Sequence, residues 1–146
     1  MASIGDFLSR EDKREVIVES VACGDVFKMN LTIEEGIQPK HENEVSRDKY
    51  LVIIDKTDTG DFIGFSVVNS KINNNIKDNH LSHYPISAKK YDFLSHNSFI
   101  DCSEIKEIKA DRFAYNFDTS CGKIEDYDMN LVIEAIKNSK NMTPKN

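Results

Sequence analysis

The chain has 146 residues, 39% hydrophobic and 30% charged, with a formal net charge of −6. That length suits one domain with a real core, and no apolar run approaches the ~18 residues of a membrane span. The acidic balance argues against generic, charge-driven binding to nucleic acid but leaves room for a local basic groove.

The N-terminus lacks a basic start followed by an apolar block, so no signal peptide is expected and the location reads as cytoplasmic. Residues 1–22 read as an N-terminal extension. Ser9 and Asp12 have the spacing of a capping box, which predicts a short helix up to about Glu15. Cys23, Cys102 and Cys121 are odd in number and lack a CxxC spacing; they read as reduced thiols and predict no metal site.

Cys23–Leu31 reads as a strand with Val26, Lys28 and Asn30 on one face and Asp25, Phe27, Met29 and Leu31 on the other. Thr32 to Ser46 is polar and reads as a long loop. Two apolar runs follow, Lys49–Ile54 and Phe62–Asn69, both rich in β-branched and aromatic residues. Neither alternates cleanly, which predicts burial on both faces. The polar link Asp55–Asp61 carries Gly and Asx turn chemistry, so the pair is expected to form an antiparallel hairpin.

The Asn-rich stretch Ser70–Asn79 predicts a second mobile loop. His83–Ile86 reads as a short strand that Pro85 restricts to an edge. Ala88–Leu94 predicts one or two helical turns. Ser98–Cys102 and Glu104–Ile108 read as strands, and Arg112–Phe117 as an extension of the sheet. Met129, Val132, Ile133 and Ile136 have helical spacing, with Asp126 or Asp128 as the cap. Residues 141–146 read as a flexible tail. The expected fold class is therefore mainly β (α+β): a small antiparallel barrel with a C-terminal helix, occupying residues 23–140.

Several stretches together are similar to the MazF/PemK family of toxin endoribonucleases. Gly24-Asp25-Val26-Phe27 resembles the family's opening strand, and Lys49 leading into Tyr50–Ile54 resembles its basic residue before an apolar strand. Asn69-Ser70-Lys71 stands where the family's next strand ends in a small polar residue. Asn97–Ile108 resembles its late strand and turn, and Gly122-Lys123-Ile124 its ending. The resemblance implies an SH3-like barrel, a homodimer, a cognate antitoxin protein as partner, and metal-independent cleavage of single-stranded RNA with no cofactor. The chain departs from the family at two places: Lys49-Tyr50, with Arg47 nearby, stands where Arg-Pro is usual, and Asn69-Ser70 where Thr or Ser is usual.

Metal-free RNA cleavage needs a base for the 2′-hydroxyl proton, cations for the charge on the phosphorane, and an acid for the leaving 5′-oxygen. Arg binds phosphate through a two-pronged fork and Lys as a point charge, so Arg47 and Lys49 are candidates. Asn69 and Ser70 are candidates to hold the phosphate or the 2′-hydroxyl, and His83 to exchange protons near neutral pH. Lys71 and Lys77 are candidate RNA contacts. His80 and His83 form H-x-x-H without an acidic partner at ligand spacing, so no zinc site is expected. The rival reading is a catalytically inactive barrel of the same type that binds a protein.

Overall fold

The computed structural model describes residues 18–37, 46–70, 82–115 and 120–139. The expected helix up to about Glu15, the expected loop Ser70–Asn79 beyond Ser70, Lys71, Lys77, His41, His80, the end of Arg112–Phe117 and the tail 141–146 lie outside them.

The described strands are β1 (Asp25–Thr32), β2 (Ser46–Lys56), β3 (Phe62–Asn69), β4 (His83–Ile86), β5 (Ser98–Asp101), β6 (Lys106–Lys109) and β7 (Ser120–Lys123); the helices are α1 (Ala110–Tyr115) and α2 (Asp126–Lys137). The strands form one antiparallel sheet in the order β4-β5-β3-β2-β1-β7, and β6 also pairs with β3. One edge of β3 serves two partners: Phe62–Phe65 pairs with β6, and Val68 and Asn69 pair with β5. β4 ends the sheet, where Pro85 leaves no ladder bond unmade.

Both faces of the central strands are buried, which is why β2 and β3 do not alternate. Phe27, Met29, Leu31, Leu51, Ile53, Phe65 and Val67 pack on one face with Ile108 and Phe113. Val26, Val52, Val68 and Ile100 pack on the other with Met129, Val132 and Ile136 of α2. The hydrophobic residues are thus divided between two layers on either side of the sheet.

The β2–β3 turn is built as its sequence suggests. Gly60 takes a φ of 74° that a side chain would strain, and Thr57 Oγ1 accepts from the amides of Asp61 (3.1 Å) and Phe62 (3.2 Å).

Some elements differ from the sequence reading. β2 begins at Ser46, so Arg47 already lies within the strand, paired with Leu31. The start of the expected loop is ordered: Thr32 caps a 3-10 turn at Ile33–Glu35, and buried Glu35 meets Arg112 Nε at 2.7 Å. The segment from Arg112 is helix rather than sheet. Helical spacing turns both Ala110 and Phe113 inward, where the Phe113 ring meets Phe27 edge-on at 5.1 Å. Ala88–Leu94 forms turns, with Tyr91 N donating to Ser87 O at 3.1 Å. Neither Asp126 nor Asp128 caps α2. Its N-cap is Glu125, which makes no side-chain cap bond.

One polar group in the core lacks compensation. Ser66 is 1% exposed, lies opposite Val52, and its hydroxyl has no hydrogen-bond partner. An unmet buried hydroxyl costs more than the small side chain gains, so Ser66→Ala is expected to stabilise the fold by about 1 kcal/mol. The urea unfolding midpoint of the variant measures this; a lower midpoint than wild type would contradict it.

Candidate active site

The hairpin register decides which polar side chains meet. Leu51 pairs with Val67, so two residues further along the antiparallel ladder Lys49 stands opposite Asn69. The side chains confirm it: Lys49 Nζ donates to Asn69 Oδ1 at 2.8 Å. Alternation puts Lys49 on the face of Leu51 and Ile53, and its partner on β1, Met29, belongs to the same layer. The ammonium therefore emerges at the rim of that core, half-buried, with a low-dielectric wall on one side.

Arg47 lies two residues before Lys49 on the same face, opposite Leu31, and is also half-buried. Asp48, between them, points to the opposite side, where its Oδ1 accepts from Asn30 Nδ2 at 2.9 Å. The two cations thus share a face without the intervening carboxylate. Ser70 directly follows β3 and is exposed.

His83 stands apart. It pairs with Asp101 on β5, two strands from β3 and two residues along from the row of Asn69. Two strand spacings are roughly 10 Å at the backbone. Its side chain is 5% exposed. Nε2 lies 3.9 Å from Asp101 Oδ1, and Ser82 Oγ lies 3.4 Å from Nδ1. Asp101 is itself fixed by Ser103, whose amide (2.8 Å) and hydroxyl (2.5 Å) both donate to Oδ1. The structure therefore joins Lys49 to Asn69 with Arg47 on the same face, leaves Ser70 exposed beyond the end of β3, and sets His83 in a separate pair with Asp101.

A second polar cluster was not read from the sequence. Asp128, in the first turn of α2, is 6% exposed. Its carboxylate accepts from Tyr84 Oη (2.6 Å), Lys90 Nζ (2.8 Å) and Tyr91 Oη. Tyr91 Oη in turn accepts from the amide of the N-cap residue Glu125 at 3.1 Å, so a tyrosine satisfies one of the orphan donors at the start of α2. Lys90 also meets Glu125 Oε2 at 2.9 Å. Burial alone would push the Asp128 carboxyl up, but the bonds from Lys90, Tyr84 and Tyr91 outweigh it and hold it below its ordinary value. Burial and the bond to Asp128 push both tyrosines up to about 12. The bonds to Asp128 and Glu125 raise Lys90. A sequence signal did exist: Asp128 lies on the same i, i+4, i+8 stripe as Val132 and Ile136, so an inward-facing helix carries a carboxylate.

Cys102 is fully buried, and burial pushes its thiol up to about 12, which keeps it protonated and a poor nucleophile. No helix among the described residues is long and apolar enough to cross a membrane. No protein-family model matches this chain, and neither does any curated protein.

Proposed function

We propose that this chain is a MazF/PemK-type endoribonuclease that cleaves single-stranded RNA without a metal ion. The observation that carries the reading is the Lys49–Asn69 pair. It sets a cation and a small polar side chain together where β2 begins and β3 ends, the place at which the resemblance implies the chemistry. Arg47 on the same face supplies a second cation.

In this reading the 2′-hydroxyl attacks the adjacent phosphorus as its proton leaves to a base. The bond to the 5′-oxygen then breaks and that oxygen takes up a proton, leaving a 2′,3′-cyclic phosphate and a 5′-hydroxyl. Lys49 and Arg47 stabilise the charge that grows on the phosphorane oxygens, and Asn69 and Ser70 hold the phosphate or the 2′-hydroxyl. Lys71 and Lys77 extend the contact along the strand. The double use of one β3 edge supports an SH3-like barrel. A cytoplasmic homodimer restrained by a cognate antitoxin completes the proposal.

Purified protein incubated with a random-sequence pool of single-stranded RNA in EDTA is expected to yield fragments ending in 2′,3′-cyclic phosphate. Intact RNA at every sequence would count decisively against the reading.

One observation favours the second reading, a protein-binding barrel without activity. The ammonium of Lys49 already spends a hydrogen bond on Asn69, at a place where the family carries Arg and a hydroxyl. Tight capture of a protein partner by a chain that leaves RNA intact would support it. Growth arrest on induction that disappears in Lys49→Ala would exclude it.

A further inference from the structure

We infer that the cleft between the loop end of the β4–β5 hairpin and the start of α2 receives an arginine side chain of a protein partner. The cleft lies on the face of the sheet that α2 covers, whereas Lys49 emerges on the other, so the inference stands apart from the RNA reading.

Space comes first. The cleft has a volume of about 360 Å³, near the low end of small-ligand sites, ~300–1,000 Å³. Ile86 and Tyr91 give it apolar walls, and Lys90, Ser98 and Asp128 give it polar atoms. A side chain with an aliphatic stem and a charged head matches that mixture.

Charge sets the sign of the head. Lys90 Nζ lies between Asp128 Oδ2 at 2.8 Å and Glu125 Oε2 at 2.9 Å. One positive charge against two negative ones leaves a surplus that attracts a further cation and repels phosphate. The two carboxylates differ in what they can still accept. Asp128 is buried and already takes Tyr84, Lys90 and Tyr91. The Glu125 side chain is 60% exposed and makes no cap bond, and its Oε1 accepts nothing among the described residues. Glu125 is therefore the open acceptor, with the charge of Asp128 behind it.

Geometry selects guanidinium over ammonium. Lys90 already fills the place of a point charge between the carboxylates. A guanidinium is planar, bonds a carboxylate through two parallel N–H groups and stacks on an aromatic ring such as Tyr91. It is also more weakly hydrated, so it loses less on entering an apolar cleft.

The surface beside the cleft points to a protein rather than a small molecule. Tyr127 is 71% exposed and Leu131 41%, one turn apart on α2. Tyr127 lies near enough to Tyr84 to act on its hydroxyl electrostatically, which puts it beside the cleft. A small guanidinium would leave both residues in water, whereas a protein surface covers them. Tyrosine and arginine are also the residues on which interface energy concentrates.

A random peptide library displayed on phage, panned against the whole chain, tests this. Selected peptides are then titrated into wild type, Glu125→Gln and Tyr127→Ala. The peptides are expected to carry arginine at a fixed position. Binding should weaken at least tenfold when that arginine becomes lysine or when Glu125 becomes Gln, the scale of a lost charge-assisted pair of hydrogen bonds. Tyr127→Ala should weaken it about fivefold. Both substitutions are at exposed positions, and circular dichroism checks that the fold is kept. Selected peptides without arginine, or affinities that Glu125→Gln leaves unchanged, would overturn the inference.

Two controls separate the other occupants. If acetyl-arginine amide binds as tightly as the selected peptides, a small guanidinium is the ligand and the protein partner falls. Light scattering of wild type and both variants covers the second copy. Self-association that Glu125→Gln and Tyr127→Ala abolish would assign the face to another copy of this chain, with the same result.

Discussion

Lys49→Ala is expected to lower single-turnover cleavage of single-stranded RNA by roughly 100-fold or more, the scale of a lost charge stabiliser at a developing oxyanion. The Lys49 ammonium is half-buried at the rim of an apolar layer, so its field is less screened than that of a surface lysine. Its bond to Asn69 fixes it before substrate arrives, and preorganisation is what makes such a charge effective. A group that acts mainly on the transition state changes turnover more than binding, so the rate at saturating RNA should carry most of the loss. Arg47→Ala should behave similarly, because Arg47 shares the face and forks to phosphate. Ser70→Ala should lower the rate less, and replacing His41 should do little. The check is quenched-flow cleavage with each variant, alongside circular dichroism to confirm folding. Full activity in the Arg47, Lys49 double substitution would end the assignment.

Asp128→Ala is expected to cost about 2–3 kcal/mol of stability, the scale of removing a charged acceptor from partly buried hydroxyl donors, because its cationic partner Lys90 is exposed. The carboxylate is the shared acceptor for Tyr84, Tyr91 and Lys90, and it ties α2 to β4 and to the turn after it. Its loss strands the tyrosine hydroxyls at the base of α2. The melting temperature should fall by on the order of 10 °C. Asp128→Asn should lose less, because the amide oxygen still accepts.

The same network sets the pH range of the fold. Asp128 is held below its ordinary value, so its contribution is present above the unfolded carboxylate value and lost as pH falls through the folded one. Tyr84 and Tyr91 are raised from 10.0 to about 12, so their contribution is complete below the unfolded value and is lost as pH rises through the folded one. Lys90, also raised, acts in the same direction. Urea midpoints measured against pH should fall at both ends for wild type and vary less for Asp128→Ala. Parallel curves would show that the network does not govern the dependence.

Much of the central architecture was legible because its signals are local. The two apolar runs, the Gly60 turn between them, the edge position of Pro85 and the helical spacing from Met129 to Ile136 each lie within a few residues. The meeting of Lys49 with Asn69 was also legible, since an antiparallel hairpin brings the start of one arm beside the end of the other. Where the reading failed, distant partners decided. Arg112–Tyr115 has strand-like residues, yet Phe113 gains a ring contact with Phe27 and Arg112 an ion pair with Glu35 only as a helix. Asp128 sits where a cap is expected, but three donors from residues 84–91 draw its carboxylate inward.

The sequence by itself determined the mainly antiparallel class, the two-faced burial of β2 and β3, and which polar residues end the central hairpin. These follow from periodicity and turn chemistry, which act over a few residues. Tertiary structure alone decided that the apolar residues divide into two layers and that His83 pairs with Asp101, two strands from β3. It alone also assembled Tyr84, Tyr91 and Lys90 around Asp128 at the start of α2. Those outcomes depend on strand order and on contacts between residues far apart in the chain, such as Phe27 with Phe113, which no local pattern encodes.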